Sequence, residues 1–321
     1  MLTATGAVMA GLIVLAWSAD RFVDGAAASA RHLGLPPFSV GILVIGFGTS
    51  APELMVSAFS AAAGTPGLAL GNAYGSNIAN IALVIGMVAL ISPLVVRPQI
   101  IRRELPLLGI ATLISLWCLW DSRISRLDGV LLLGLLIASL TWSLWRSKQA
   151  PAAARDVDET AHPMSLRRGL FWTLLGLILL LASSRLLVWG AVHIASAIGV
   201  SDLIIGLTVV AIGTSLPELA SSLSAVRKGQ HDMVLGNMVG SNFFNTLAVV
   251  GLAGVIHPIA VEPDALMRDW PTMAALTLLL LLFGLGSGRH GRINRLEGGV
   301  LLLIYIAYTV WLISGVTMSQ G

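Results

Sequence analysis

Charge is what this chain has least of. Only 11% of its 321 residues are charged, where a soluble globular domain carries roughly 25%. Cysteine is almost absent: Cys118 stands alone in Leu116-Trp117-Cys118-Leu119, which excludes an intrachain disulfide and reads as a small core hydrophobe. There is no His-Glu-x-x-His and no Gly-x-Ser-x-Gly, so the usual hydrolytic signatures are missing. The N-terminal apolar run is long and lacks a basic leader, so no cleavable signal is expected. What is present is apolar. Hydrophobic residues make up 56% and mean hydropathy is +0.88. Apolar runs of roughly 20 residues, each able to cross ~30 Å of hydrocarbon, recur along the whole length. The chain reads as an all-α polytopic membrane protein whose surroundings are the lipid bilayer. Its pI near 9.5 does not imply nucleic acid, because the basic residues lie between the apolar runs.

The apolar pattern predicts ten transmembrane helices, at 5–27, 38–62, 68–92, 104–120, 127–146, 168–195, 203–226, 232–256, 271–287 and 296–316. One polar segment, 147–166, separates 1–146 from 167–321, five helices on each side. The two parts are copies. At an offset of 165, residues 43–86 and 208–251 match at 18 of 44 positions without a gap, and Gly25, Gly34 and Gly41 meet Gly190, Gly199 and Gly206. An odd number of spans forces the second copy to enter the membrane from the opposite side, giving two inverted five-helix repeats, an arrangement found in transporters. With both termini outside, fourteen basic residues fall in inner loops and three, Arg123, Arg126 and Arg268, fall outside. That bias places the 147–166 linker in the cytoplasm.

Within the repeats sit two blocks that an apolar segment does not need. Gly48-Thr49-Ser50-Ala51-Pro52-Glu53 recurs as Gly213-Thr214-Ser215-Leu216-Pro217-Glu218. An ionisable residue at membrane depth costs at least ~2.5 kcal/mol and marks a functional site. Pro52 and Pro217 lack the amide hydrogen and clash with the carbonyl four residues back, so each helix should break just before its glutamate. Freed carbonyls are tolerated only where they are buried in protein or line a cavity. The second block, Gly71-Asn72-Ala73-Tyr74-Gly75-Ser76-Asn77-Ile78-Ala79-Asn80, is echoed by Gly236-Asn237-Met238-Val239-Gly240-Ser241-Asn242-Phe243-Phe244-Asn245. Four-residue spacing puts Ser76 with Asn80, and Ser241 with Asn245, on one helix face. The donors are all oxygen: two carboxylates, hydroxyls, amides and released carbonyls. Such a set suits Na⁺, Ca²⁺ or Mg²⁺, and a dry cage favours Ca²⁺ and Na⁺ because Mg²⁺ dehydrates reluctantly.

Each of these residues also has a plainer reading. A buried glutamate can pair with a base, yet the only basic residues within spans are Arg21 and Arg185, on other helices. Serine and threonine often bond their own backbone, and Asn72, Asn77, Asn237 and Asn242 serve equally well as packing residues. Asp20 and Asp24 read as interfacial acids pairing with Arg21, or as lining an entry path, and His193 as a packed or interfacial histidine. Trp17, Trp117, Trp120, Trp142, Trp145 and Trp270 fit an interfacial belt.

The duplicated Gly-Thr-Ser-x-Pro-Glu and Gly-Asn-x-x-Gly-Ser-Asn-x-x-Asn blocks resemble the two α-repeats of the cation/Ca²⁺ exchanger superfamily, in its prokaryotic Na⁺/Ca²⁺ exchanger branch. The resemblance implies antiport of Na⁺ against Ca²⁺ by alternating access. The second, third, seventh and eighth helices would form the ion-binding core and the first and sixth a sliding gate. It implies Glu53 and Glu218 as Ca²⁺ ligands shared with Na⁺, and Thr49 and Thr214 as donors of backbone carbonyls. Ser50, Ser76, Ser215 and Ser241 would give hydroxyls for Na⁺, and Ala211, the repeat partner of Gly46, a carbonyl to an outer Na⁺ site. Asn80 and Asn245 would line the middle. K⁺-dependent relatives resemble Gly-Ser-Asn-x-x-Asp in the second repeat, so Asn245 implies transport without K⁺. The short linker leaves no room for Ca²⁺-sensing regulatory domains, and the Gly-Asn-Ala-x-Glu block of H⁺/Ca²⁺ exchangers is absent. A secondary transporter in a prokaryotic inner membrane is therefore expected, not an enzyme, with no cofactor and no obligate protein partner. The alternatives are an H⁺/Ca²⁺ or other cation antiporter of the same fold and, remotely, an intramembrane hydrolase or a passive channel.

Overall fold

The computed structural model describes residues 1–149, 164–199, 209, 211–285 and 291–319. Most of the 147–166 linker, the start of the expected helix 203–226 and the end of 271–287 lie outside the described residues. Helices dominate, in the order α1 (Leu2–Leu33), α2 (Pro37–Thr49), α3 (Ala51–Ala62), α4 (Pro66–Ile91), α5 (100–119), α6 (Arg126–Gln149), α7 (Leu166–Ala197), α8 (Ala211–Thr214), α9 (Leu216–Arg227), α10 (His231–Ile256), α11 (Ala265–Leu285) and α12 (Arg295–Ser319). Among the described residues, α1, α4, α7, α10, α11 and α12 are long and apolar enough to cross a membrane, and the bent pair α2–α3 makes a seventh such span. The two longest helices exceed their apolar runs: α1 continues through Arg31 and His32 until Gly34 stops it in the left-handed conformation (φ 65°).

Two features depart from the all-helical expectation. Four short strands form two antiparallel ribbons: β1 (Leu94–Val96) pairs with β4 (Gly291–Ile293), and β2 (Arg123–Ile124) with β3 (Ile259–Ala260). Since α5 connects β1 to β2, the ribbons sit at its two ends, ~30 Å apart for 20 residues at 1.5 Å each. The helices also widen into π-helical turns at 79–85 and 244–249, and at 100–104 and 265–269. Each pair starts at the same register, 165 residues apart.

The core sits between α4 and α10, most of whose residues are buried. Helices α1 and α7 lie against each other over their whole length and run antiparallel. A Cβ on Gly25 would meet the Gly169 carbonyl at 2.8 Å and one on Gly190 the Ala4 carbonyl at 2.7 Å; one on Gly11 would meet Leu187 and one on Gly176 would meet Phe22. At an offset of 165 these are the same contacts made twice. Small residues at such a crossing let backbones approach closely where lipid supplies no hydrophobic drive. Beyond this pair, Arg97 binds Asp232 at 2.8 Å, joining the end of β1 to the start of α10. Asp20 and Asp24 do not pair with Arg21. Lys228 reaches Asp24 at 2.6 Å and the Asp20 carbonyl at 2.9 Å, Ser224 donates to Asp20, and Arg21 stacks over Trp17 and Trp172. Arg21 sits beside its aromatic neighbours on the outside of the α1–α7 pair, while the two acids face α9. His193 is exposed, its ring against Trp189, and Trp270 is anchored by its indole N–H to the Thr112 carbonyl rather than lying free in a belt.

Gly176→Val should force α1 and α7 apart and cost about 1–3 kcal/mol through overpacking. The readout is a lower Tm in detergent. Gly6→Ala, on the partner helix α1 with nothing near its Cβ position, should leave Tm unchanged.

Candidate cation site

The chain breaks twice in the same way. Ser50 (φ −84°, ψ 4°) separates α2 from α3, which bend by 44°, and Ser215 (φ −89°, ψ 3°) separates α8 from α9. Pro52 and Pro217 fall in the first turn of the new helices, where a missing N–H costs nothing. Glu53 and Glu218 follow in that turn, at the positive end of a helix dipole that favours a carboxylate. The incoming halves end at Thr49 and Thr214, just before the breaks, and carbonyls at such broken ends coordinate cations in transporters.

Both glutamates are 1% exposed. Among the described residues no basic side chain pairs with either, and they stand close enough for their charges to repel. The Ser50 hydroxyl crosses from one half to donate to Glu218 Oε1 at 3.4 Å. Ser241 donates to the Gly46 carbonyl at 3.4 Å, and Asn80 to Asn242 Oδ1 at 3.1 Å. These cross-links need close backbones: Gly41 and Gly236 face each other, and a Cβ on Gly41 would stand 2.7 Å from the Gly236 Cα.

Among the described residues eleven buried side-chain polar atoms have no hydrogen-bond partner, and six of them are Glu53 Oε2, Glu218 Oε2, Ser215 Oγ, Asn80 Oδ1 and both amide atoms of Asn245. An unsatisfied buried polar atom ordinarily costs about 1–3 kcal/mol. Five of these six are oxygens on residues expected at the site, which fits a desolvated cation as the missing partner. Of the other expected residues, Thr49, Ser50, Ser76 and Ser241 are buried, Thr214 is half-buried at the end of α8, and Ala211 opens α8. Thr49 uses its hydroxyl on the Ile45 carbonyl at 3.0 Å, which leaves its own carbonyl as its contribution. Ser76 and Asn80 lie on either side of the change from α to π geometry at Ala79, and Ser241 and Asn245 flank the matching change at Phe244. Such turns often mark functional sites, and the four-residue spacing of the sequence did not reveal them. The sequence also missed the role of Ser57, Ser221 and Ser222, which accept hydrogen bonds from Asn72 and Asn237.

A family model described as "Sodium/calcium exchanger protein" matches residues 3–145 and 168–314. CaxA of Alkalimonas amylolytica is 48% identical over 98% of this chain and its own full length. The inner membrane protein YrbG of Escherichia coli is 36% identical over 97% of this chain and 96% of its own. A solved structure of the sodium-calcium exchanger NCX_Mj superposes with a TM-score of 0.83 at 34% identity, covering 96% of this chain and 98% of that one.

Glu53→Gln or Glu218→Gln should leave a folded protein that no longer holds Ca²⁺. Removing one partner of a buried charge arrangement costs about 3–5 kcal/mol, or more than about 100-fold in affinity. Equilibrium binding of radiolabelled Ca²⁺ to purified protein measures it, and near-normal binding by either variant would place the site elsewhere.

Proposed function

The chain belongs to the sodium/calcium exchanger protein family, and from that premise we propose that it exchanges Na⁺ for Ca²⁺ across an inner membrane by alternating access, without K⁺. The observation that carries the reading is the pair of buried glutamates on broken helices, each with an oxygen lacking a partner. Two carboxylates balance one Ca²⁺. The same charge accommodates Na⁺ with help from neutral oxygens, so the two cations compete for one cage. Glu53, Glu218 and the carbonyls of Thr49 and Thr214 form its centre. Ser50, Ser76, Ser215 and Ser241 supply hydroxyls to Na⁺, Ala211 supplies a carbonyl to an outer Na⁺ position, and Asn80 and Asn245 line the middle. Asn245, being neutral, leaves two acids rather than three, which is the ground for transport without K⁺.

Alternating access follows from ten spans in two inverted repeats, 1–146 and 167–321, joined by the 147–166 linker. Two observations support that arrangement. The repeat partners α1 and α7 are antiparallel. The strands β1 and β3 are repeat partners, yet each pairs with a strand of the other half, at opposite ends of α5. Counting spans as ten keeps β1 and β4 on one face and β2 and β3 on the other, in agreement with their pairing. With both termini outside, the β1–β4 ribbon and Lys228 face the cytoplasm.

An H⁺-driven exchanger of the same fold is the second reading, and the hydroxyls distinguish it, because a dehydrated Na⁺ needs them and a proton does not. Proteoliposomes loaded with Na⁺ should take up radiolabelled Ca²⁺ when diluted into Na⁺-free medium. Ser50→Ala, Ser76→Ala, Ser215→Ala and Ser241→Ala should each raise the half-activating Na⁺ concentration more than the half-saturating Ca²⁺ concentration. Uptake that follows a pH gradient and ignores Na⁺ would establish the H⁺ reading instead. For the topology, cysteines at 155 and 319 on a Cys118→Ser background should label from opposite sides of the membrane; labelling from one side would overturn the inverted arrangement.

A further inference from the structure

We propose that Asn72 and Asn237 are positioning residues, each setting the height and rotation of the half-helix that bears a glutamate by donating from its side-chain amide to that glutamate's backbone carbonyl. This inference rests on the exchanger reading above. Asn72 Nδ2 lies 3.3 Å from the Glu53 carbonyl and 3.2 Å from Ser57 Oγ, one turn further along α3. Asn237 Nδ2 lies 3.4 Å from the Glu218 carbonyl, 3.1 Å from Ser221 Oγ and 2.9 Å from Ser222 Oγ. The donors are repeat partners, so are the two carbonyls, and so are Ser57 and Ser222.

The need for such a brace arises from the cage itself. A glutamate that must offer an oxygen to a cation cannot be anchored through that oxygen, and Oε2 of both glutamates is free. Nor is either half-helix clamped at its start: Ser50 and Ser215 occupy the capping position without making a side-chain cap bond. Ser50 turns its hydroxyl to Glu218 instead. Orientation then has to come from the backbone side. An amide that spans the glutamate carbonyl and a hydroxyl three or four residues on grips the half-helix at two points and fixes its rotation.

A cage discriminates between ions of equal charge by size only if its carboxylates are held apart at a fixed distance. Loosening the brace should therefore alter the preference between Ca²⁺ and the larger Sr²⁺, which a loss of packing alone would not do. Groups that orient metal ligands typically account for about 10–100-fold in affinity. Asn72→Leu keeps the volume and removes the donor. Asn72→Ser is the milder change, and it carries the test if the leucine variant does not fold. Equilibrium binding of radiolabelled Ca²⁺, with Sr²⁺ as competitor, is read beside Tm in detergent. The expected result is a half-saturating Ca²⁺ concentration raised about 10-fold or more, a smaller change for Sr²⁺ and an unchanged Tm. Ser57→Ala, which leaves the Glu53 bond in place, should shift the preference less. Folded Asn72 variants with wild-type affinity and preference would overturn the proposal, as would equal weakening for both ions. Wild-type protein that binds neither ion would overturn the exchanger reading itself, and the proposal with it, before any variant is compared.

Discussion

Placing Glu53 and Glu218 together out of reach of water concentrates negative charge that no basic side chain among the described residues offsets. Inside a low-dielectric interior that repulsion is several times what it would be in water, and the surrounding structure can be understood as what makes it tolerable. The helices are broken so that each carboxylate meets the positive end of a new helix. The hydroxyls and amides nearby are oriented across the halves, with Ser50 on Glu218 and Asn80 on Asn242. Even so, polar atoms remain unpaired around the two acids. Orphaned oxygens of this kind ordinarily cost stability, and in the proposed reading a cation is their missing partner.

Close packing is the second requirement, and it follows from the first. Hydroxyls reach carboxylates across the two halves only if the helix backbones nearly touch, and Gly41 against Gly236 provides the room between α2 and α10. The π-helical turns at 79–85 and 244–249 change the angular spacing of the side chains within the most buried helices. Asn80 and Asn245 lie in those turns, so their amides reach positions that a regular α-helix carrying the same residues would deny them.

Much of this was legible in the residues. The glycine, proline and glutamate of each block foretold a broken helix, and Ser50 and Ser215 are where the breaks fall, because backbone rules act locally and are visible in sequence. Burial of Thr49, Ser50, Ser76, Ser215 and Ser241 followed from their place in apolar segments. What sequence did not disclose depends on contacts between distant elements or on small changes of pitch. Hydropathy treats 94–96 and 123–124 as ends of loops, yet each finds a partner strand in the other half. The π turns leave no mark in composition. The pairing of Asp20 and Asp24 was misread because Arg21 is adjacent in sequence, whereas Lys228, 204 residues from Asp24, is adjacent in space.

That last contact shows where the duplication stops. Lys228 and Ser224 tie the end of α9 to Asp24 and Asp20 on α1, and α1 packs along α9. The repeat partners of these four residues are Ala63, Phe59, Trp189 and Arg185, a set with no acid, so the tie has no counterpart between α3 and α7. Among the described residues α7 makes only marginal contact with α3, touching instead the last turn of α2 at Phe47–Thr49. The two halves thus share a cage built by symmetric residues, while the helices that cover it are held unequally at their two ends. The symmetry lies in the residues around the two glutamates; the departure from it lies in the covering helices, where Lys228 ties α1 to α9 and the repeat partners offer no such pair between α7 and α3.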